Sequence, residues 1–300
     1  MPDREIAAIR AELSPAFLID EPERCTTPLV FCSPHSGRIY PEHFLAQSRL
    51  DPHTLRKSED CYIDVLFGSA PAYGAPLISA LFPRAFLDVN REPYELDPGL
   101  IEAPLPDYAN SKSARVIGGL GTIARIVGDG AEIYTHPLPL EAALARIEGL
   151  YLPFHAALAG LLARSYRDFG SAILLDCHSM PSNSMAATGQ RSRPDIVLGD
   201  RFGTSCGREV IEMVQHAFQA LGYNVQINRP YAGGYITEHY GRPLIGIEAL
   251  QIEINRGLYL NETSLETSSG FSALQSDLDK VIAHLIETLS DLAQRPAAAE

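Results

Sequence analysis

The chain is short of positive charge. Its 37 acidic residues outnumber 24 basic ones and give a formal net charge of −13. It therefore lacks the basic face that nucleic-acid backbones and anionic membrane surfaces require. A small acidic substrate stays open, because one arginine at contact distance outweighs the diffuse field of the whole chain. Cysteine is scarce as well. Cys25, Cys32, Cys61, Cys177 and Cys206 are odd in number, irregularly spaced and without a Cys-x-x-Cys pair, which argues against a disulfide framework or a Cys-rich zinc module. No apolar run approaches the length of a membrane span. Residues 1–13 carry Asp3, Arg4, Glu5, Arg10 and Glu12, which is unlike a secretory signal. The expected location is a reducing cytoplasm. There is no phosphate-cradling Gly-x-x-x-x-Gly-Lys-Ser/Thr, and Gly118-Gly119-Leu120-Gly121 lacks dinucleotide spacing after a strand.

What is present is a packed α/β chain. At 46% hydrophobic and 20% charged residues, a core is expected and disorder is not. Strand candidates are residues 29–32, 76–81, 85–89, 171–175, 196–199, 224–228 and 247–254. Helix candidates are 41–50, 61–70 with Ser58 as N-cap, 138–166 with a break at Pro153, 204–221 and 271–292. Residues 92–137 are rich in Gly, Pro and Tyr with little periodicity, as lids and substrate walls are. Alternating strands and helices predict a single α/β domain over residues 1–300, with a mixed, mostly parallel sheet flanked by helices. Its core spans about 28–292, between a short N-terminal arm and a frayed C-terminal tail.

Three stretches carry chemistry. Two apolar runs end in the same way, as Leu29-Val30-Phe31-Cys32-Ser33-Pro34-His35 and Leu174-Leu175-Asp176-Cys177-His178-Ser179. Each delivers a histidine from the end of a strand, where open α/β sheets place their ligands. The third run, residues 247–254, carries Glu253 inside core sequence. A buried unpaired carboxylate is costly and shifts its pKa upward, which suits a general base. The competing reading is a structural ion pair with Arg256 or another arginine. Together the three runs predict the walls of one hydrolytic, zinc-holding site. Zinc takes two histidines and commonly a carboxylate, for which Glu59, Asp60, Asp64 and Asp176 are candidates. Asn90-Arg91 follows another strand candidate and is suited to a carboxylate ligand or to a structural salt bridge. Cys177 beside His178 is not read as a thiol dyad, because adjacent residues on a strand face opposite ways.

The ordered set Ser33-Pro34-His35-Ser36-Gly37, Asp88-Val89-Asn90-Arg91, Leu120-Gly121-Thr122-Ile123, Asp176-Cys177-His178-Ser179-Met180, Gly233-Gly234-Tyr235-Ile236-Thr237 and Gln251-Ile252-Glu253-Ile254-Asn255-Arg256 resembles the N-formylglutamate amidohydrolase family. The resemblance implies a fold like that of the zinc carboxypeptidases and aspartoacylase, of the phosphorylase/hydrolase-like kind. It also implies hydrolysis of the amide of an N-acylated acidic amino acid, with N-formyl-L-glutamate as the type substrate. By this resemblance one zinc ion per chain is held by His35 and His178, Glu253 is the general base, and Asn90-Arg91 clamps the substrate carboxylate. Arg115 and Tyr235 are further substrate-binding candidates. The family-like pattern puts a glutamate three residues after the first histidine, where this chain has Arg38. The acidic ligand is therefore assigned to Asp60, with Glu59 next and Asp64 as a supporting partner. The expected partner is a small acyl-amino acid, with no nucleic acid or membrane, and a homo-oligomer stays open. Rival readings are a non-catalytic binder of carboxylated acyl-amino acids and a broader aminoacylase or peptidase.

Overall fold

The computed structural model describes residues 2–128, 130–183 and 193–294. Among them, seven strands form one sheet: β1 Phe17–Asp20, β2 Leu29–Ser33, β3 Leu77–Ala80, β4 Ala172–Met180, β5 Ile196–Gly199, β6 Val225–Ile227 and β7 Ile247–Asn255. Their spatial order is β1-β3-β2-β4-β7-β5-β6. Strands β3, β2, β4 and β7 are mutually parallel. β1 lies antiparallel to β3, and β5 lies antiparallel to β7 while pairing parallel with β6. The sheet is thus mixed and mostly parallel. The helices are α1 Pro2–Glu12, α2 Glu42–Gln47, α3 Pro52–Arg56, α4 Ile63–Leu66, α5 Ala114–Ile117, α6 Leu140–Arg146, α7 Leu152–Phe169, α8 Arg208–Ala220, α9 Tyr235–Tyr240 and α10 Phe271–Gln294. None is long and apolar enough to cross a membrane.

Side chains alternate across a strand, and each face of the sheet buries its own core. Val30, Cys32, Ile78, Leu174 and Ala249 pack with Phe154, Leu158 and Leu162 of α7. Leu29, Phe31, Leu77, Leu175, Cys177, Leu250 and Ile252 pack against Val214 and Phe218 of α8 and Leu278 and Ile282 of α10. The same alternation sorts the polar residues. Cys177, Ile252 and Ile254 belong to the second core. Asp176, His178, Gln251 and Glu253 therefore share the α7-side face at the C-terminal ends of β4 and β7. The chain leaves β2 toward β3 on one side, while β4 joins on the other. Such a topological switch point opens a crevice beyond the strand ends.

Several elements differ from expectation. Residues 85–89 form a turn, with Phe86 and Leu87 amides donating to the Pro83 carbonyl and Asp88 N donating to Thr122 O. Ala85, Phe86, Leu87 and Val89 are all buried, and a short apolar run by itself does not separate strand from buried turn. Ser58 is not a helix cap, since its hydroxyl donates to Leu55 O. The helix after it shrinks to α4, which the chain enters through Tyr62 at φ 63°. The long helix over 138–166 is divided by a π-turn at Ile147–Tyr151, and Pro153 falls in the first turn of α7, where a missing amide hydrogen is tolerated. β1 lies in the segment expected as an N-terminal arm, and α9 lies where no helix was expected. β4 runs on to Met180, so His178 lies within the strand rather than after it. The polar loop expected at 181–194 and the frayed tail from Pro296 fall largely outside the described residues.

Candidate metal centre and substrate cavity

His35 leaves the end of β2 and His178 projects from β4. Asp60 reaches them from the connection before α4, anchored by its amide donating to His35 O at 3.0 Å. All three are buried, and one ligand atom from each lies within 4.8 Å of the others. Both histidines turn Nδ1 toward the same oxygen: Asp60 Oδ2 is 2.9 Å from His178 Nδ1 and 3.3 Å from His35 Nδ1. The second contact is misaligned for a hydrogen bond and leaves His35 Nδ1 a buried polar atom without a partner. Such orphaned atoms are rare in folded proteins. Two imidazole nitrogens and a carboxylate oxygen converging on one point form a donor set that fits a metal such as zinc.

The far nitrogens are held as metal-bound histidines usually are. His35 Nε2 lies 2.7 Å from Asp88 Oδ1, and His178 Nε2 lies 3.0 Å from Asp176 Oδ2. The acceptor at Nε2 keeps the His35 proton there and leaves its Nδ1 with a lone pair, whereas His178 donates from Nδ1 to Asp60 Oδ2 in the absence of a metal. Asp60 Oδ1 accepts from Ser179 Oγ and Arg256 Nη2, both at 3.1 Å. Burial alone would raise the Asp60 pKa, yet His178 and His35 hold it well below the usual carboxylate range. Burial likewise opposes Asp88 ionisation, and Arg91, His35 and Arg84 overcome it. Asp176 and Asp60 raise His178 well above an ordinary histidine against the cost of burial.

Glu253 sits directly across from His178 in the β4–β7 register. Burial, first of all, pushes its pKa up to about 7. His178 pulls it back and Asp60 pushes it further. Gln251 Nε2 donates to Glu253 Oε1 at 2.7 Å. The Glu253–Arg256 ion pair of the competing reading does not form, because Arg256 is spent on Asp60, Ser179 and the carbonyls of Lys57 and Glu59.

A cavity of about 470 Å³ opens over these groups. Arg84, Arg91 and Arg115 line one part of it, and Leu120, Ala124 and Val127 form an apolar wall. Arg91 Nε donates to Leu120 O and Nη1 to Asn90 O, both at 2.8 Å. Burial, with repulsion from Arg84 and Arg115, brings its pKa down to about 10 despite Asp88. A crowded cationic wall of this kind favours an anion. Asn90 lines the cavity too, but its amide is committed. Oδ1 accepts from Ile236 N at 2.7 Å, and Nδ2 lies 3.4 Å from Asp176 Oδ2 and 3.2 Å from His178 Nε2. Gly234 packs so closely on Asn90 that a Cβ there would meet the amide at 2.4 Å.

His35, Asp60, His178, Glu253, Asn90, Arg91 and Arg115 thus surround one cavity. Tyr235 does not join them. It begins α9 and stacks on His239 with ring centroids 5.1 Å apart. Glu59 accepts from Tyr40 and Arg56, and Asp64 pairs with Arg38 at 2.8 Å, so neither completes the cluster. Sequence reasoning missed Arg84 and gave Gln251 no role beyond its place in a motif. It quoted Asp88 only as part of a motif, although a carboxylate two residues before Asn90-Arg91 was a usable signal. Gly203-Thr204-Ser205-Cys206-Gly207 has nucleophile-elbow spacing, but Ser205 is buried, donates to Ala249 O at 2.9 Å and lies outside the cavity.

Known proteins resemble this chain over most of its length. The N-formylglutamate deformylase of Pseudomonas putida is 28% identical over 243 residues, covering 79% of this chain and 83% of that protein. The crystal structure of N-formylglutamate amidohydrolase from Ralstonia eutropha JMP134 superposes with a TM-score of 0.86 at 35% identity, covering 91% of this chain and 98% of that one. A gene product from Agrobacterium tumefaciens, 17% identical with a TM-score of 0.61, covers 91% of this chain and 95% of its own and shares the fold. A model of the N-formylglutamate amidohydrolase family matches residues 27–260. That span holds the switch-point strands, the His35–Asp60–His178 cluster, Glu253 and the arginine wall, and the chain belongs to the N-formylglutamate amidohydrolase family.

Proposed function

We propose that this chain is a zinc-dependent amidohydrolase that converts N-formyl-L-glutamate and water to formate and L-glutamate. The observation that carries the reading is the buried His35–Asp60–His178 cluster, with an orphaned His35 Nδ1, beside a raised-pKa Glu253 in an arginine-walled cavity. The names of the relatives agree with it. His35, Asp60 and His178 would hold the ion, one per chain. When bound there, zinc supplies Lewis acidity, which acidifies water and polarises an acyl carbonyl.

The chain's own groups do the rest. Glu253 takes the proton of the attacking water on Oε2, since the Gln251 amide occupies Oε1, and passes it to the leaving amine nitrogen. Arg91 holds a substrate carboxylate, with Asn90 and Arg115 completing that wall, so that attack is oriented rather than diffusional. Arg84 adds positive charge beside Asp60 and Glu253, where negative charge grows as water attacks. Tyr235 lies outside the cavity lining, against His239, and takes no part in this scheme.

A panel of N-formyl, N-acetyl and dipeptide substrates, run on metal-analysed protein, tests the reading. N-formyl-L-glutamate should be turned over fastest by protein holding one zinc. Preference for N-acetyl or dipeptide substrates would favour a broader aminoacylase or peptidase. Metal-free protein that binds acyl-amino acids without turnover would favour a binding protein.

A further inference from the structure

The segment bearing Asn90-Arg91 has no regular secondary structure, so its carbonyls must find partners outside a ladder. Two of them, bracketing the pair, are met by side chains from one turn of helix. Tyr151 donates its hydroxyl to Arg91 O at 2.7 Å, and His155 Nε2 lies 2.9 Å from Val89 O. A carbonyl only accepts, so His155 carries its proton on Nε2. Burial pushes its pKa down to about 4, which keeps the ring neutral and Nδ1 free to accept from the Tyr240 hydroxyl at 2.9 Å. Tyr151 and His155 are four residues apart, stacked with centroids 4.3 Å apart. Tyr151 closes the π-turn Ile147–Tyr151. Interruptions of this kind recur at functional sites because they re-aim the residues that follow. Tyr240 ends α9, whose N-cap Gly234 packs on Asn90 and whose Ile236 amide donates to Asn90 Oδ1. One aromatic stack therefore grips the backbone on both sides of Arg91 and ties it to α9.

We infer that Tyr151 and His155 are positioning residues for the substrate-carboxylate clamp: their hydrogen bonds to the carbonyls of Arg91 and Val89 set the direction in which the Arg91 guanidinium enters the cavity. This rests on the reading of Arg91 as the carboxylate clamp. Neither residue lines the cavity, so both act through Arg91.

The test is a double-mutant cycle on zinc-loaded enzyme. Tyr151→Phe keeps the ring stack and removes the hydroxyl's bonds to Arg91 O and to the Tyr235 hydroxyl, so KM for N-formyl-L-glutamate should rise about fivefold with kcat and zinc content little changed. In an Arg91→Met background the same change should add nothing, because the residue it positions is gone. His155→Gln, which keeps a donor, should stay closer to wild type in KM than His155→Leu. The same four cycle proteins titrated calorimetrically with glutarate report on the clamp independently of turnover. If Arg91→Met leaves KM and glutarate affinity unchanged, the clamp reading falls and this inference with it. If Arg91→Met weakens both while Tyr151→Phe is silent or additive, the inference alone is overturned.

Discussion

Replacing Glu253 with glutamine probes the base and its burial together. The substitution keeps the shape of the side chain and an oxygen for the Gln251 amide, but removes the charge. In metal-free protein, burial raises the Glu253 carboxyl from 4.5 to about 7, which corresponds to about 3 kcal/mol of preference for the protonated form. A carboxyl raised in this way stabilises the fold while protonated. That contribution is complete below about 4.5 and lost as pH rises through about 7. Chelator-treated Glu253→Gln protein, permanently neutral, should match wild type near pH 4.5 and exceed it at pH 8 by up to about 3 kcal/mol. In a chain of this size that is roughly 5 °C in Tm. In zinc-loaded protein the same change should cost ~10²- to 10⁴-fold in kcat, the usual contribution of a general base, with zinc content unchanged. Thermal unfolding at the two pH values and single-substrate kinetics read both effects. Unchanged kcat would refute the base. A variant less stable than wild type at pH 8 would refute the argument from burial.

Three further outcomes follow from the geometry. Asp60→Asn should abolish stoichiometric zinc by metal analysis, while Glu59→Gln, whose carboxylate faces Tyr40 and Arg56, should retain it. Asp88→Asn leaves every proposed ligand in place but weakens the acceptor at His35 Nε2. It should lower zinc affinity about 10- to 100-fold in a chelator competition. Gly234→Ala puts a methyl group 2.4 Å from the Asn90 amide. It should cut kcat/KM by at least about tenfold while Tm falls little, because the displaced residue belongs to the site.

The histidines and the glutamate were legible because strand periodicity exposes a polar residue where core is due. His35, His178 and Glu253 each interrupt or end an apolar run, and the alternation of β4 and β7 already implied that Cys177 and His178 part ways. The connection segments were less legible. Residues 85–89 are as apolar as a strand and as buried as one, yet their hydrogen bonds go to a turn, to Thr122 and to side chains of Arg146 and His155. Nothing local encodes partners some sixty residues away.

The sequence by itself determined the fold class, the family, and the two histidines and glutamate that the site is built around, because each depends on residue type and short-range period. Only the tertiary structure decided among the acids and arginines. Glu59 and Asp60 are alike on a helix-start reading, and nothing in the sequence beyond the preference for Asp60 separates them. Asp60 meets the histidines because its amide bonds to His35 O and its second oxygen is held by Ser179 and Arg256. Arg256 was the partner of Glu253 in the rival reading; by closing on Asp60 it leaves the glutamate without a salt bridge among the described residues, and burial raises its pKa.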